Sequence, residues 1–371
     1  MADVDIGMGK TARRAYGLGE VAIVPSRRTR DPEDVDVSWE IDAYHFELPI
    51  LASPSDSVSS PASVVQLSEL GAGGVLHLEG LWTRYENPLP LYEEIAALAP
   101  GNATPRMQEI YAAPIQPDLV TQRIADISEA GVTCAVAVSP HRTLELAEAV
   151  LRAEPDLLVI HAAVVSAEHV SRTAEPLNLK DFIRHYEIPV VVGGCTSYQS
   201  ALHLMRTGAA GVLVGTGSGV ASTMRDVLGV GMPLATALAD ARAARMRHLD
   251  ETGVYVQVIA DGGMTTGGDI AKAVVCGADA VMIGTPLAAA HEAPGRGWHW
   301  GLPAVHATLP RGPRVPVQRR GTFREILLGP AHHPDGRMNL IGALRRTMAL
   351  CGFGTLKELQ KADLAVTETR R

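Results

Sequence analysis

Residues 255–284 read YVQVIADGGMTTGGDIAKAVVCGADAVMIG. Tyr255 to Ala260 is a short apolar run that stops at Asp261-Gly262-Gly263. A helical pattern follows over Gly268 to Cys276, closes on Cys276-Gly277-Ala278, and gives way to a second apolar run, Asp279 to Gly284. Short Val- and Ile-rich runs without alternation suit strands covered on both faces, which is the condition of a parallel sheet. A glycine just past a helix is the usual C-terminal stop. The stretch therefore spells strand, loop, helix, turn, strand: one βα unit running into the next.

The same unit recurs outward from this point. Apolar runs fall at Leu48 to Ser53, Gly74 to His77, Thr133 to Val138, Leu157 to His161, Pro189 to Gly193 and Gly211 to Gly215. Helical patterns separate several of them, at Asp118 to Ala130, Thr143 to Ala153 and Ser197 to Thr207; Val120, Ile124 and Ile127 share one face of the first. The helix–Gly–strand turn appears again at Gly131 and Gly208. Alternating βα units specify a parallel α/β sheet. A doubly wound open sheet accommodates the same alternation, but about eight units close more naturally into a (β/α)₈ TIM barrel. We expect a single domain: residues 1–42 as an N-terminal segment capping the barrel bottom, 43–293 as its core, 294–337 as a flap or insertion rich in Pro, Gly and Arg, and 338–371 as a C-terminal helix from Leu340 and a tail.

Composition narrows the class. The chain has 371 residues, 46% hydrophobic and 20% charged, as an ordinary globular enzyme does. A net charge of −8 argues against broad binding to nucleic acid or anionic membrane. The opening MADVDIGMGKTARR has acids and no apolar centre, so no signal peptide is expected, and no apolar run approaches membrane-span length. Cys134, Cys195, Cys276 and Cys351 show no metal-ligand spacing and read as reduced thiols of a cytoplasmic protein.

Chemistry in such a barrel sits at the C-terminal strand ends. After the sixth run comes Gly215-Thr216-Gly217-Ser218-Gly219-Val220-Ala221-Ser222-Thr223, whose alternate glycines let backbone approach an anion or a cation. GxGxxG spacing is absent, so a dinucleotide fingerprint is not indicated. Asp261-Gly262-Gly263 suits a ribose and a phosphate: the carboxylate accepts from hydroxyls and the glycine amides face the phosphate. Gly284-Thr285 adds a hydroxyl donor, in the loops where this architecture usually holds phosphate. Turn chemistry explains any one of these motifs; three on adjacent strands point to a nucleotide. Ser53, Ser55, Asp56, His77, Glu79 and His161 are the other polar strand ends, Asp56 being placed to cap the helix that follows.

At these motifs the sequence resembles the IMP dehydrogenase/GMP reductase family, over most of its length. Glu20-Val-Ala-Ile-Val-Pro-Ser looks like the family's N-terminal DDVLLVP stretch. Ile50-Leu-Ala-Ser-Pro-Ser-Asp-Ser-Val looks like SAPMDTV. The family's ligand-binding stretch matches Ile259-Ala-Asp-Gly-Gly, Gly268-Asp-Ile-Ala-Lys-Ala and Gly277-Ala-Asp-Ala-Val-Met-Ile-Gly. Glu292-Ala-Pro-Gly and Leu340-Ile-Gly-Ala-Leu-Arg also fit, and the regulatory CBS pair is missing, as in a CBS-less bacterial branch. The resemblance implies a purine nucleotide ligand (IMP, GMP or XMP) and hydride exchange with NAD or NADP, in a homotetramer or with a paralogue partner. It places Ser53, Asp261, Gly262, Gly263, Gly284 and Thr285 on the nucleotide. It places His161, Gly215 and Gly217 on the cofactor side, and Gly217, Gly219 and Ser222 around a monovalent cation such as K⁺.

Departures from the family pattern concentrate on catalysis. Aligned on Arg225 and Gly229-Val-Gly, the family's catalytic cysteine falls on Ser222, its phosphate-binding serine on Val220, and the threonine two positions beyond the cysteine on Met224, next to Thr223. Ser222 and Thr223 thus stand as candidate catalytic residues, although a hydroxyl needs a base that a thiolate does not. His161 replaces the acid ending the fourth strand, Gly194 the asparagine after the fifth, and Ser55 the methionine that packs on the base. The family's Arg-Tyr flap is not recognisable in Pro294 to Arg337. Two functions follow: a purine nucleotide oxidoreductase, or a nucleotide-binding regulatory or partner protein without redox chemistry.

Overall fold

The computed structural model describes residues 3–172, 176–217, 219–301 and 314–367. Eight parallel strands form the centre: β1 (Ile50–Ala52), β2 (Val75–His77), β3 (Ala135–Val138), β4 (Leu157–His161), β5 (Val190–Cys195), β6 (Gly211–Val214), β7 (Gln257–Asp261) and β8 (Ala280–Ile283). Each pairs with its neighbour in chain order, and β8 pairs with β1. The ring closes between β1 and β2, where Gly73 N–H donates to Ile50 O at 2.8 Å and Ala52 N–H to Gly73 O at 2.7 Å. The expected (β/α)₈ barrel is therefore the fold.

Eight helices follow the strands in turn: α1 (Pro61–Glu69), α2 (Pro117–Ser128), α3 (Thr143–Ala153), α4 (Leu179–His185), α5 (Tyr198–Met205), α6 (Leu234–Thr252), α7 (Gly267–Cys276) and α8 (Leu340–Leu350). Nearly every strand residue is buried, because one face lines the barrel and the other meets a helix. The helix α2 shows how the pattern works: Pro117 begins it, and Leu119, Val120, Ile124 and Ile127 turn inward. In α7, Thr266 and Asp269 cap each other's backbone, and Gly277 ends the helix at φ +125°. A side chain at Gly277 would meet Arg242 Cβ at 2.5 Å, so the helix-to-strand turn there demands glycine.

The N-terminal ends of the strands are sealed by the Trp39–Ile41 and Tyr44–Phe46 hairpin. Ile41 is fully buried against Gly211, the first residue of β6, and Trp39 stacks on Phe46 at 5.1 Å. Below β8 a buried Arg245–Asp279 ion pair (2.6 Å) is completed by Tyr255, Gln360 and the Val258 N–H. It lies at the start of β8 rather than its end, so this buried charge serves the scaffold. No helix among the described residues is long and apolar enough to cross a membrane.

The opposite end carries the βα loops. Helices Leu89–Ala97 and Pro100–Ile110, which the sequence pattern did not mark, are inserted between β2 and α2. Their apolar faces join Leu81, Tyr92 and Trp300 in a second, smaller core. Within the stretch read as a flap, Trp298–His299 pairs with Val315–Pro316; residues 302–313 lie outside the described part of the chain.

Candidate functional site

The C-terminal strand ends supply the mouth of the barrel. Asp261 ends β7 and is buried; His161 ends β4 and is buried as well. Their strands lie three apart in the ring, yet His161 Nε2 reaches Asp261 Oδ2 at 3.0 Å. The pair bridges the mouth, leaving Asp261 one carboxylate oxygen for another partner. His161 Nδ1 is buried with no partner among the described residues. Burial pushes His77, which ends β2, down to about 4.

Close backbone approach makes this geometry reachable. Gly215 follows β6 at φ +142°, and a Cβ there would stand 2.2 Å from the Asp261 carbonyl oxygen. Any other residue at this position would displace the end of β7 and its carboxylate with it. Gly262 and Gly263 then turn the chain at φ +78° and +75°. Gly262 N–H donates to Met282 O at 3.2 Å, which extends the β7–β8 ladder by one bond. Gly263 N–H has no partner among the described residues.

A corner forms beside this turn at the end of β8. Ser53, just past β1, donates its N–H to Ile283 O at 2.9 Å and so sits next to Gly284. A Cβ on Gly284 would stand 3.2 Å from Ser53 Cβ and 3.2 Å from His299 Nε2. Thr285 follows, and its hydroxyl lies 3.6 Å from where a Cβ on Gly219 would be, so the loop after β6 leans on the same corner. The structure thus brings Ser53, Asp261, Gly262, Gly263, Gly284 and Thr285 to neighbouring strand ends, and adds His299, which the sequence reading missed. The one signal available was local: two of the chain's four tryptophans flank this histidine, as Trp298-His299-Trp300.

Ser55, Asp56 and Ser57, past β1, anchor that new element. Ser57 Oγ lies 2.8 Å from His299 Nδ1 and accepts from Trp300 N–H at 3.2 Å. Ser55 Oγ donates to Trp300 O. Asp56 does not cap the next helix, as its position suggested: Ser60 does, accepting from Ser63 N–H. The Asp56 carboxylate accepts instead from Leu81 N–H (3.0 Å) and Tyr111 O–H (2.6 Å), and Trp300 Nε1–H donates to Tyr111 O at 2.9 Å. Burial raises Asp56 to about 6 despite these two donors. Glu79, past β2, accepts from the N–H of Ser139, which follows the neighbouring β3.

The loop after β6 holds the candidate nucleophiles. Ser222 N–H donates to Gly219 O at 2.9 Å, and Ser222 Oγ accepts from Met224 N–H at 3.4 Å. Thr223 stands at the start of the short Met224–Leu228 helix without a side-chain cap bond. Among the described residues, no histidine or carboxylate is hydrogen-bonded to either hydroxyl. All four cysteines are free and buried, and burial pushes Cys134 and Cys195 up to about 12 and Cys276 to about 11. Cys195 ends β5 with its side chain packed in the core, so it offers no thiolate at the mouth. No cluster of three His, Cys, Asp or Glu side chains able to hold a metal occurs among the described residues.

Comparison with known proteins agrees with this architecture. The family model for the IMP dehydrogenase/GMP reductase domain matches residues 15–300. An uncharacterised oxidoreductase of Mycolicibacterium smegmatis is 50% identical over 98% of this chain and 99% of its own length. One of Mycobacterium tuberculosis is 51% identical over the same shares. The inosine-5′-monophosphate dehydrogenase of Methanocaldococcus jannaschii is 25% identical over 94% of this chain and 92% of its own. Among solved structures, the IMP dehydrogenase/GMP reductase-like protein of Corynebacterium glutamicum superposes with a TM-score of 0.93 at 43% identity, covering 98% of both chains. This chain belongs to the IMP dehydrogenase/GMP reductase family.

Proposed function

We propose that the protein is a purine nucleotide oxidoreductase, which binds a nucleoside 5′-monophosphate at the barrel mouth and exchanges a hydride with NAD or NADP. The observation that carries this reading is the juxtaposition of Asp261 with Gly263, Gly284, Thr285 and Ser53. A carboxylate with one free oxygen suits ribose hydroxyls, and an unpaired amide beside a threonine hydroxyl suits a phosphate. The remaining bond of His161 supports a second ligand: Nε2 is on Asp261, and the unpartnered Nδ1 fits a hydroxyl or carboxamide of the cofactor. Bound there, NAD or NADP would supply the hydride acceptor or donor. His161 and the Gly215–Gly217 turn would hold it, and Ser222, with Thr223 beside it, faces the question of the missing thiol. Gly217, Gly219 and Ser222 would hold the expected K⁺; Gly219 O accepts from Ser222 N–H and keeps a second lone pair.

One observation favours a second reading. With every thiol buried and no base on Ser222, the covalent step of the family lacks its nucleophile. A nucleotide-binding regulatory protein, or a partner of an active paralogue, needs only the retained corner. The two readings separate in one experiment. Pure protein is given IMP with NAD⁺, and GMP with NADPH, with and without K⁺, while nicotinamide absorbance is followed; calorimetry with IMP, GMP and XMP runs in parallel. Turnover establishes the enzyme, binding without turnover the regulatory reading, and absence of both refutes the shared assignment of the corner. Assembly as a homotetramer belongs to the same proposal and is measured by light scattering.

A further inference from the structure

His299 is 6% exposed, yet its Nε2 has no hydrogen-bond partner among the described residues and points at Gly284. The other nitrogen lies 2.8 Å from Ser57 Oγ, whose proton has three acceptors in reach: His299 Nδ1, Ser55 Oγ at 2.8 Å and Trp300 O at 3.2 Å. Trp300 N–H donates to Ser57 Oγ and Ser55 O–H serves Trp300 O, an arrangement in which the Ser57 proton goes to Nδ1. A histidine whose Nδ1 accepts carries its proton on Nε2. That N–H projects into the corner of Ser53, Gly284 and Thr285.

We propose that His299 is this chain's own phosphate donor: Ser57 fixes the ring as the Nε2–H tautomer, and that N–H bonds a phosphoryl oxygen held against Gly284. The inference rests on reading this corner as the phosphate end of the nucleotide site. Burial pushes His299 down to about 4, so the ring is a neutral donor at neutral pH and needs no proton taken up from solvent. Its neighbours in the corner, Ser53, Ser57, Gly284 and Trp300, bear no charge. The nearby charged and titratable groups are Asp56 and Tyr111, tied to Trp300, and the His161–Asp261 pair, His77 and Glu79 on other strand ends. Ser57 acts only through the ring and is a positioning residue. Trp300, tied to Tyr111 and Asp56, holds the segment in place.

The test is calorimetry on the full chain as wild type, His299→Ala, His299→Gln and Ser57→Ala. The titrants are IMP, GMP and XMP, the nucleosides inosine and guanosine, and ribose 5-phosphate. His299→Ala is expected to weaken nucleotide binding about 10- to 100-fold, as for a lost hydrogen bond to a charged group. Nucleoside binding changes less than about two-fold by the same argument. Ser57→Ala shifts the same ratio in the same direction, and His299→Gln, which keeps an N–H near the site, recovers part of the loss. A merely structural role would move nucleoside and nucleotide alike; that result, or no change in either, overturns the proposal. His299→Gln carries the test if His299→Ala fails to fold. A wild type that binds ribose 5-phosphate through His299 but no purine nucleotide upholds this proposal and refutes the purine reading. A wild type that binds none of the titrants refutes both.

Discussion

Asp56 offers the sharpest prediction about stability. Its carboxyl is buried under the Trp300 segment, with Oδ2 holding the Leu81 N–H and the Tyr111 O–H and Oδ1 unpaired. Burial lifts it from the ordinary 3.8 to about 6. A carboxyl raised on folding binds a proton in the native state that the unfolded chain has already released. Its contribution is therefore fully present below about pH 4 and is lost as pH rises through about 6. Two units at about 1.4 kcal/mol each give roughly 3 kcal/mol across that window. Asp56→Asn keeps an acceptor for Leu81 and Tyr111 and abolishes the titration. Urea unfolding of both proteins from pH 4.5 to 8 then yields a difference in stability that grows in favour of the variant as pH rises, and levels off above about 6.5. Any constant cost of the new amide group shifts the whole curve without changing its slope. His77 and His299, both pushed down to about 4 by burial, work in the opposite sense and weaken folding as pH falls from 6.5, but they do so equally in both proteins. Parallel pH profiles for wild type and Asp56→Asn would refute the reasoning, because they would mean that Asp56 releases its proton at the same pH folded and unfolded.

Two further outcomes follow from the mouth itself. Gly215→Ala forces a Cβ to within 2.2 Å of the Asp261 carbonyl oxygen at φ +142°, and is expected to cost at least about 2 kcal/mol and to weaken nucleotide binding through Asp261. Gly217→Ala, at φ +63° with open space around it, costs only about 1 kcal/mol; thermal unfolding that shows equal losses would dispose of the close-approach argument. Thiol titration with an aromatic disulfide at pH 8 should find no fast-reacting cysteine in the native protein and four after denaturation, since all are buried. Rapid modification of one native thiol, blocked by a purine nucleotide, would restore a cysteine to the chemistry.

The barrel was legible in the sequence because strand and helix announce themselves locally. Residues 255–284 contain two buried strands, a capped helix and a glycine turn that the chain can form only one way, and repetition of that unit leaves closure as the natural arrangement. The motifs of the phosphate corner were legible for the same reason: Asp261-Gly262-Gly263 and Gly284-Thr285 are each contiguous, and each follows its strand directly. The inserted helices Leu89–Ala97 and Pro100–Ile110 were not, because among the described residues their apolar faces meet Trp298, Trp300 and the loop beside β2, a core with no period of its own in the sequence. Asp56 looked like a helix cap because its neighbour in sequence is a helix; its actual donors come from Leu81 and Tyr111, 25 and 55 residues away.

Sequence alone thus determined the eightfold βα order, the glycines of the strand ends and the absence of a cysteine from the loop at Ser222. Tertiary structure decided what those strand ends face. The reach of His161 across the ring to Asp261 joins positions 100 residues apart, and the Ser57–His299 bond joins positions 242 apart. Neither spacing carries a periodicity, because side-chain pairing across a closed barrel depends on which strand ends the ring sets opposite one another. A chain can encode its local units residue by residue, but a partner across the mouth exists only once the last strand has closed on the first.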